Sequence, residues 1–107
     1  MTLKNHITLV GSISSNMRVV NFNNGNKVAR FKVTTEKPYR ANNGSFRTAK
    51  EWHEVFAWGN LAKFIENYGE KGKKVAIHGR LVNRTYLSPG GQKKSVTEVE
   101  VRHIQGL

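Results

Sequence analysis

The chain has 107 residues, of which 37% are hydrophobic and 23% charged, a composition typical of one folded domain that spans residues 1–107. Eighteen Lys and Arg oppose seven acidic residues, all of them Glu, and the formal net charge is +11. The absence of Cys excludes disulfides and thiolate metal sites, and the strong positive charge favours nucleic acid as the partner over an anionic membrane surface.

Most of the chain alternates between apolar and polar residues with a period of two, which is typical of β-strands. The predicted strands cover residues 6–13, 18–22, 27–36, 52–58, 75–87 and 96–101. Turns are predicted at residues 23–26 (Asn-Asn-Gly-Asn) and 88–91 (Ser-Pro-Gly-Gly), where the residue types favour reversal of the chain.

One segment departs from this period and predicts a short helix. Its apolar residues lie at helical spacing and predict one stripe against the core: Leu61, Phe64, Ile65 and Tyr68. Asn60 is predicted to cap the start of the helix and Gly69 to end it. About five strands, with the helix between the third and the fourth, predict an all-β five-stranded barrel of the OB type. Periodicity alone leaves other small barrels open.

Residues 37–50 form a long polar stretch between two predicted strands, with the tip of a hairpin arm expected at residues 42–45. The stretch mixes two rings, Tyr39 and Phe46, with four cations and no acidic residue. Bases stack on flat rings while cations neutralise the backbone, so this mixture suits a single nucleic acid strand. The alternative is a solvated, flexible loop.

Strand alternation over residues 52–58 separates two kinds of side chain. Val55 and Ala57 suit the interior, which leaves Trp52, Phe56 and Trp58 on the opposite, partly exposed surface. The alternative is that these large rings are themselves core residues. An exposed aromatic patch of this size favours a ligand-binding surface.

The strand over residues 74–86 repeats the arrangement of cations and rings. Val75, Ile77 and Leu81 are expected in the core. The other parity forms a basic stripe that ends in a ring: Lys74, His78, Arg80, Arg84 and Tyr86. A solvated charged face is the alternative, but the same mixture occurs in three segments, which favours binding.

The sequence contains no recognisable catalytic or metal-binding motif, and we therefore expect neither an enzyme nor a cofactor. Without Asp, carboxylate pairs for acid–base or two-metal chemistry could come only from scattered Glu, and the four His lack the H-E-x-x-H spacing. No apolar run reaches the length of a membrane span, and the first six residues lack a signal-peptide pattern. A cytoplasmic, nucleoid-associated protein is expected.

Several fragments, taken together and in order, resemble the bacterial single-stranded DNA-binding protein family over nearly the whole chain. Residues 5–11 resemble its opening strand, and residues 52–55 (Trp-His-Glu-Val) followed by 59–62 (Gly-Asn-Leu-Ala) resemble its most recognisable motif. Residues 71–81 resemble its fourth strand, and residues 97–99 (Thr-Glu-Val) its last.

The resemblance implies an OB fold, a homotetramer around which DNA wraps, and sequence-independent protection of single-stranded DNA in replication, recombination and repair. It also implies base stacking at Tyr39, Trp52, Trp58 and Tyr86, and a subunit contact at His53. The basic residues expected to meet DNA phosphates are Lys32, Lys37, Arg40, Arg47, Lys50, Lys74, Arg80, Arg84 and Lys93.

Two departures from the family pattern matter. Glu54 lies on the expected binding face, where relatives often carry a basic residue. The family also has a flexible tail with an acidic, hydrophobic tip that recruits replication and repair proteins, whereas this sequence stops at Leu107, so DNA binding carries over and recruitment does not. The alternatives are a primosomal OB protein that aids helicase loading, an RNA-binding OB module and, more remotely, a small nuclease.

Overall fold

A closed barrel forms the centre of the molecule. The computed structural model describes residues 5–107. In this part of the chain the elements are β1 (Ile7–Ile13), β2 (Arg18–Asn21), β3 (Lys27–Arg40), β4 (Phe46–Trp58), α1 (Gly59–Tyr68), β5 (Lys74–Leu87) and β6 (Lys93–Gly106). The sheet order is β1-β5-β6-β4-β3-β2, and pairing of β1 with β3 closes the ring. The expected five-stranded barrel is confirmed: five strands form the ring, and the sixth, β2, pairs only with β3 and lies outside it. The helix α1 lies between β4 and β5, which are the third and fourth barrel strands along the chain.

The core follows the predicted alternation. In β3, Ala29, Phe31 and Val33 are buried, and other barrel strands contribute β-branched side chains, such as Val55 of β4 and Val75 of β5. Such side chains pack well on the inner surface of a small barrel. The residues that alternate with them point outward, and among these Val28, Phe56 and Glu98 are nevertheless buried by neighbouring side chains.

The helix packs on this core with a stripe that is rotated from the predicted one. Ala62 and Ile65 are buried, whereas Phe64 is exposed and stacks on Tyr68, with ring centroids 5.5 Å apart. The predicted cap at Asn60 is wrong, because the helix begins two residues earlier than that cap implies, at Gly59, with Trp58 in the capping position and no side-chain cap hydrogen bond.

The end of the helix at Gly69 is confirmed, for a different physical reason than expected. The Gly69 N–H donates to the Ile65 carbonyl at 2.6 Å, but the residue is not in the left-handed region (φ −80°). A Cβ at this position would lie 2.7 Å from the backbone oxygen of Ile65, which cannot move aside as a flexible side chain could, so close packing favours glycine here.

Two hairpin arms project from the barrel. Residues 37–50, expected as a long stretch between strands with the tip of a hairpin arm at residues 42–45, are the paired ends of β3 and β4. The tip is confirmed, because residues 41–45 form the turn, where the Ala41 N–H donates to the Ser45 carbonyl at 2.8 Å. We call residues 37–50 the first arm, and residues 83–97, which join β5 to β6, the second arm. The arms raise the radius of gyration to 16.0 Å, against about 13 Å for a compact domain of this length.

Gly79 lies where the pairing of β5 with β6 shifts register. A Cβ on Gly79 would lie 2.1 Å from the backbone oxygen of Glu100, so only glycine permits this approach of the two strands. The expectation that Leu81 lies in the core is wrong: it is 45% exposed, because two residues beyond Gly79 the strand is leaving the barrel for the second arm.

We predict that Gly79→Ala lowers the free energy of unfolding by about 1–3 kcal/mol, because the added methyl group meets backbone that cannot rotate away. Gly90→Ala is the matched control: a Cβ added there, in the turn of the second arm, would have no neighbour within 4 Å, so the change stays within about 0.5 kcal/mol. Chemical denaturation of both variants measures the difference. Equal stabilities would show that the strands do not approach as described.

Candidate nucleic-acid interface

The alternation along β4 turns both Trp side chains outward. Val55 and Ala57 are fully buried in the barrel, while Trp52 is 64% exposed and Trp58 45% exposed. Phe56, expected to be exposed with them, is only 7% exposed. The Arg30 guanidinium covers its ring, 5.1 Å from the centroid, a contact between neighbouring strands that periodicity does not reveal.

Strand pairing extends this surface across the sheet. Trp52 and Trp58 lie on the same side as Glu54, which pairs in register with Glu98 of β6. Glu98 in turn lies opposite Val82 of β5, and Tyr86 is four residues further along the same side of that strand. We call this continuous surface the outer face. Its predicted binding residues are Lys32, Arg40, Lys50, Trp52, Trp58, Arg80, Arg84 and Tyr86.

The first arm divides the predicted residues between its two sides. Tyr39 lies opposite Arg47, and Lys37 shares their parity, whereas Arg40 and Lys50 share the parity of Trp52. Tyr39, which is 44% exposed, is therefore not brought together with the Trp side chains on one surface. A strand of nucleic acid contacts all of these residues only if it passes around the arm.

The predicted cations differ in whether a carboxylate already neutralises them. The ammonium Nζ of Lys32 lies 3.6 Å from Oε1 of Glu54. Nε of Arg80 lies 2.6 Å from Oε1 of Glu100, and Nε of Arg84 pairs with Oε1 of Glu98. Within residues 5–107, no carboxylate lies within ion-pair distance of the remaining predicted cations, namely Lys37, Arg40, Arg47, Lys50, Lys74 and Lys93. Four of these six belong to the first arm, which therefore carries the least compensated positive charge.

Each arm presents a cation over an exposed ring. The Arg40 guanidinium lies 5.4 Å from the Phe46 centroid, and the Arg84 guanidinium lies 5.7 Å from that of Tyr86. A flat guanidinium next to a flat ring offers a phosphate contact and a stacking surface within one nucleotide's reach.

Besides Tyr39, Lys37 and Arg47, three further predicted residues lie apart from the outer face. Lys74 lines a shallow groove with Val10 and Leu107 at the β1–β5 side of the barrel, and Lys93 begins β6 on the opposite side of the second arm from Tyr86. His53 points away from Trp52, is half-buried, and its Nε2 lies 2.9 Å from Thr35 Oγ1.

Sequence reasoning missed Phe22 and Arg30 at this surface, and it named Phe46 as a ring of the first arm without assigning it to base stacking. Phe22 is exposed at the end of the β2–β3 hairpin and stacks on Trp58, with centroids 5.7 Å apart. Phe46 is 77% exposed at the end of the first arm. Arg30 faces the same way as Lys32 and was identifiable from its parity alone, whereas the approach of Phe22 to Trp58 depends on tertiary structure.

Neither a metal centre nor a membrane-spanning helix is found in the described part of the chain. Among residues 5–107, no three His or Glu side chains are arranged to hold a metal ion. Over the same residues, α1 is too short and too polar to cross a bilayer.

Comparison with known proteins places the chain in a family. The model of the "Single-strand binding protein family" matches residues 4–107. The "Single-stranded DNA-binding protein" of Bacteroides thetaiotaomicron is 31% identical over 105 residues, and the "Single-stranded DNA-binding protein 1" of Chlorobaculum tepidum is 31% identical over 104 residues. Each alignment covers 96% of this chain but only 65% and 64% of the respective relative, so the chain spans just under two thirds of their length.

Solved structures agree with the fold. A structure described as "Plasmodium falciparum SSB complex with ssDNA" superposes with a TM-score of 0.87 at 27% identity, covering 96% of this chain and 94% of that one. A deletion mutant of the single-stranded DNA binding protein from Thermus aquaticus superposes with a TM-score of 0.81 at 22% identity, covering 96% of this chain and 50% of that one. The predicted OB fold is confirmed.

We predict different effects on stability for two aromatic residues of β4. Phe56→Ala removes a buried ring and lowers the free energy of unfolding by about 3–5 kcal/mol. Trp52→Ala removes a largely exposed ring and changes it by less than about 1 kcal/mol. Thermal or urea unfolding of the two variants distinguishes them, and an equal loss in both would show that Trp52 is a core residue.

Proposed function

Because the chain belongs to the single-strand binding protein family, we propose that it binds single-stranded DNA without sequence preference. The observation that carries the proposal is the outer face, where Trp52, Trp58 and Tyr86 are exposed beside cations. Exposed rings on a rigid sheet hold their positions at little cost in side-chain entropy, and every base has a flat surface that stacks on them.

The exposed rings and the unpaired cations have different roles in binding. The rings stack on bases and supply affinity without reading base edges, which accounts for the absence of sequence preference. The unpaired cations of the first arm, Lys37, Arg40, Arg47 and Lys50, neutralise phosphates and release counterions. Because Tyr39 and Arg47 lie on the other side of that arm from Arg40 and Lys50, the strand follows the arm around its edge.

The acidic residues limit where phosphates can lie. Glu54 is half-exposed in the middle of the outer face and is only loosely paired with Lys32, at 3.6 Å. A phosphate next to Glu54 is repelled, so Lys32 contributes less than the cations of the arms. Most of the backbone of the bound strand therefore passes along the arms and the rim of the outer face, and a phosphate lies over the face itself only where other cations outweigh Glu54.

We also propose a homotetramer. The pairing of β1 with β3 involves only Ser12 and Ile13, so within the described residues one edge of β1 from Ile7 to Gly11 has no strand partner. An open strand edge, with Val10 exposed beside it, favours pairing with a second copy. His53 remains the proposed contact between subunits, since it faces away from Trp52.

The biological role follows as part of the same proposal. A protein that coats single strands without reading sequence protects them during DNA replication, recombination and repair, in the cytoplasm and at the nucleoid. It acts as a binding protein and not as an enzyme, and recruitment of replication or repair proteins is not part of the proposal.

We predict that Trp58→Ala weakens binding to a labelled oligo-dT by about 1–3 kcal/mol, because one stacking surface is lost. The change is measured by fluorescence anisotropy at fixed salt. Phe64→Ala is the matched control, since its ring is as exposed as Trp58 (44% against 45%) but lies on α1, away from the outer face.

Equal losses in the two variants would contradict a specific role of the outer face. The same titration with oligo-U separates DNA from RNA binding: tighter binding of oligo-U would favour the RNA-binding alternative.

The proposed homotetramer is tested by the number of chains that associate in solution. Sedimentation at micromolar concentration shows a species of four chains, and His53→Glu shifts it towards smaller species because a carboxylate is desolvated at the subunit contact. A strict monomer of the unmodified chain would rule out the tetramer. An unchanged tetramer in His53→Glu would remove His53 from the contact.

A further inference from the structure

A buried carboxylate lies beneath the outer face. Glu98 of β6 is only 4% exposed and is the one charged residue among the described residues that is buried. Burial of a carboxylate is costly unless cations and hydrogen bonds compensate it. Here two arginines from different strands do so: Arg30 of β3 and Arg84 of β5.

The contacts use separate oxygens of the carboxylate. Arg84 donates from Nε to Oε1 at 2.9 Å, and Arg30 donates from Nη1 to Oε2. Because Arg84 is held through Nε, both of its terminal nitrogens remain outside this contact. The side chains of Arg84 and Arg30 are 50% and 34% exposed, whereas that of Glu98 is 5% exposed, so the acid lies inside and the two guanidiniums reach the surface.

Each guanidinium is also fixed by a ring. Arg30 lies over Phe56 at 5.1 Å, and Arg84 lies over Tyr86 at 5.7 Å. The two arginines and Glu98 line a groove of about 380 Å³. The other residues of the groove are Ser15, Asn16, Arg18, Phe31, Lys32 and Glu54. The groove therefore collects four cations against two carboxylates, one of which is buried.

We propose that Glu98 is a positioning residue that orients Arg30 and Arg84 as a joint seat for a phosphate group of single-stranded DNA. The proposal rests on the proposed function and adds Arg30 to the interface. Without the carboxylate, two like charges would face each other and their long side chains would separate. With it, both guanidiniums are ordered before DNA arrives, so binding loses less side-chain entropy.

This role reverses a simple electrostatic expectation. Removing a negative charge from a DNA-binding surface ordinarily strengthens binding. Glu98→Gln removes one charge but also releases the two arginines, and we expect oligo-dT binding about tenfold weaker than that of the unmodified chain. Glu54→Gln is the matched control: it removes the same charge from the same face at a half-exposed position, and we expect tighter binding.

Arg84→Lys tests the positioning role of Glu98 while leaving the buried carboxylate in place. This variant provides the test if Glu98→Gln does not fold. Lysine keeps the charge but cannot hold the carboxylate through Nε and present two further nitrogens. We expect oligo-dT affinity to fall about tenfold while the slope of log K against log salt is unchanged, because the number of charges is the same.

The outcomes separate this inference from the proposed function. No binding of oligo-dT by the unmodified chain would overturn the function itself. Normal binding by the unmodified chain, with Arg84→Lys equally tight, would overturn the role of Glu98 alone. Folded Glu98→Gln that binds as tightly as Glu54→Gln would do the same.

Discussion

The arrangement of the molecule depends on one constraint, the strict alternation of side chains along β4 while that strand is paired on both edges. Its neighbours β3 and β6 fix its register, so Val55 and Ala57 must enter the core and Trp52 and Trp58 must leave it. A slip by one residue would exchange the two sets. The exposed rings are thus a consequence of barrel closure and need no flexible loop to present them.

Charge is distributed to match this geometry. Away from the first arm, several cations are compensated by carboxylates: Lys27 pairs with Glu66, Arg84 with Glu98 and Arg80 with Glu100. Along the first arm the cations are uncompensated. Uncompensated cations are therefore concentrated on the first arm, while the rings of Trp52 and Trp58 lie on the same strand, β4, towards the barrel. A polyanion with flat bases fits this order of charges and surfaces.

Much of the fold was predictable from the sequence, because period-two alternation directly encodes which side chains meet in the core. The segments that were misjudged lack that signal. Residues 37–50 are polar on both sides because the first arm is solvated on both sides, so they resembled a loop, although they are paired strands. Phe56 was misjudged because its cover, Arg30, comes from another strand.

Residue type and strand parity predicted several residues of the candidate site, but they did not predict which side chains the folded chain brings into contact. Trp52, Trp58 and Tyr86 do share one face. Tyr39 differs, because its position in the first arm has the opposite parity, and the stacking of Phe22 on Trp58 requires the β2–β3 hairpin to be folded. Buried Glu98, within a short run of alternating polar and apolar residues, had no sequence signal that distinguished it from a surface acid.

The central claim is that the exposed rings of the outer face cover bases of single-stranded DNA. Titration of the unmodified chain with oligo-dT, followed by intrinsic Trp fluorescence at several salt concentrations, tests it most directly. The account predicts strong quenching, because bases cover both indoles, and an affinity whose logarithm falls with log salt by about 0.7 per neutralised phosphate. Unchanged Trp fluorescence at saturating oligo-dT would contradict it.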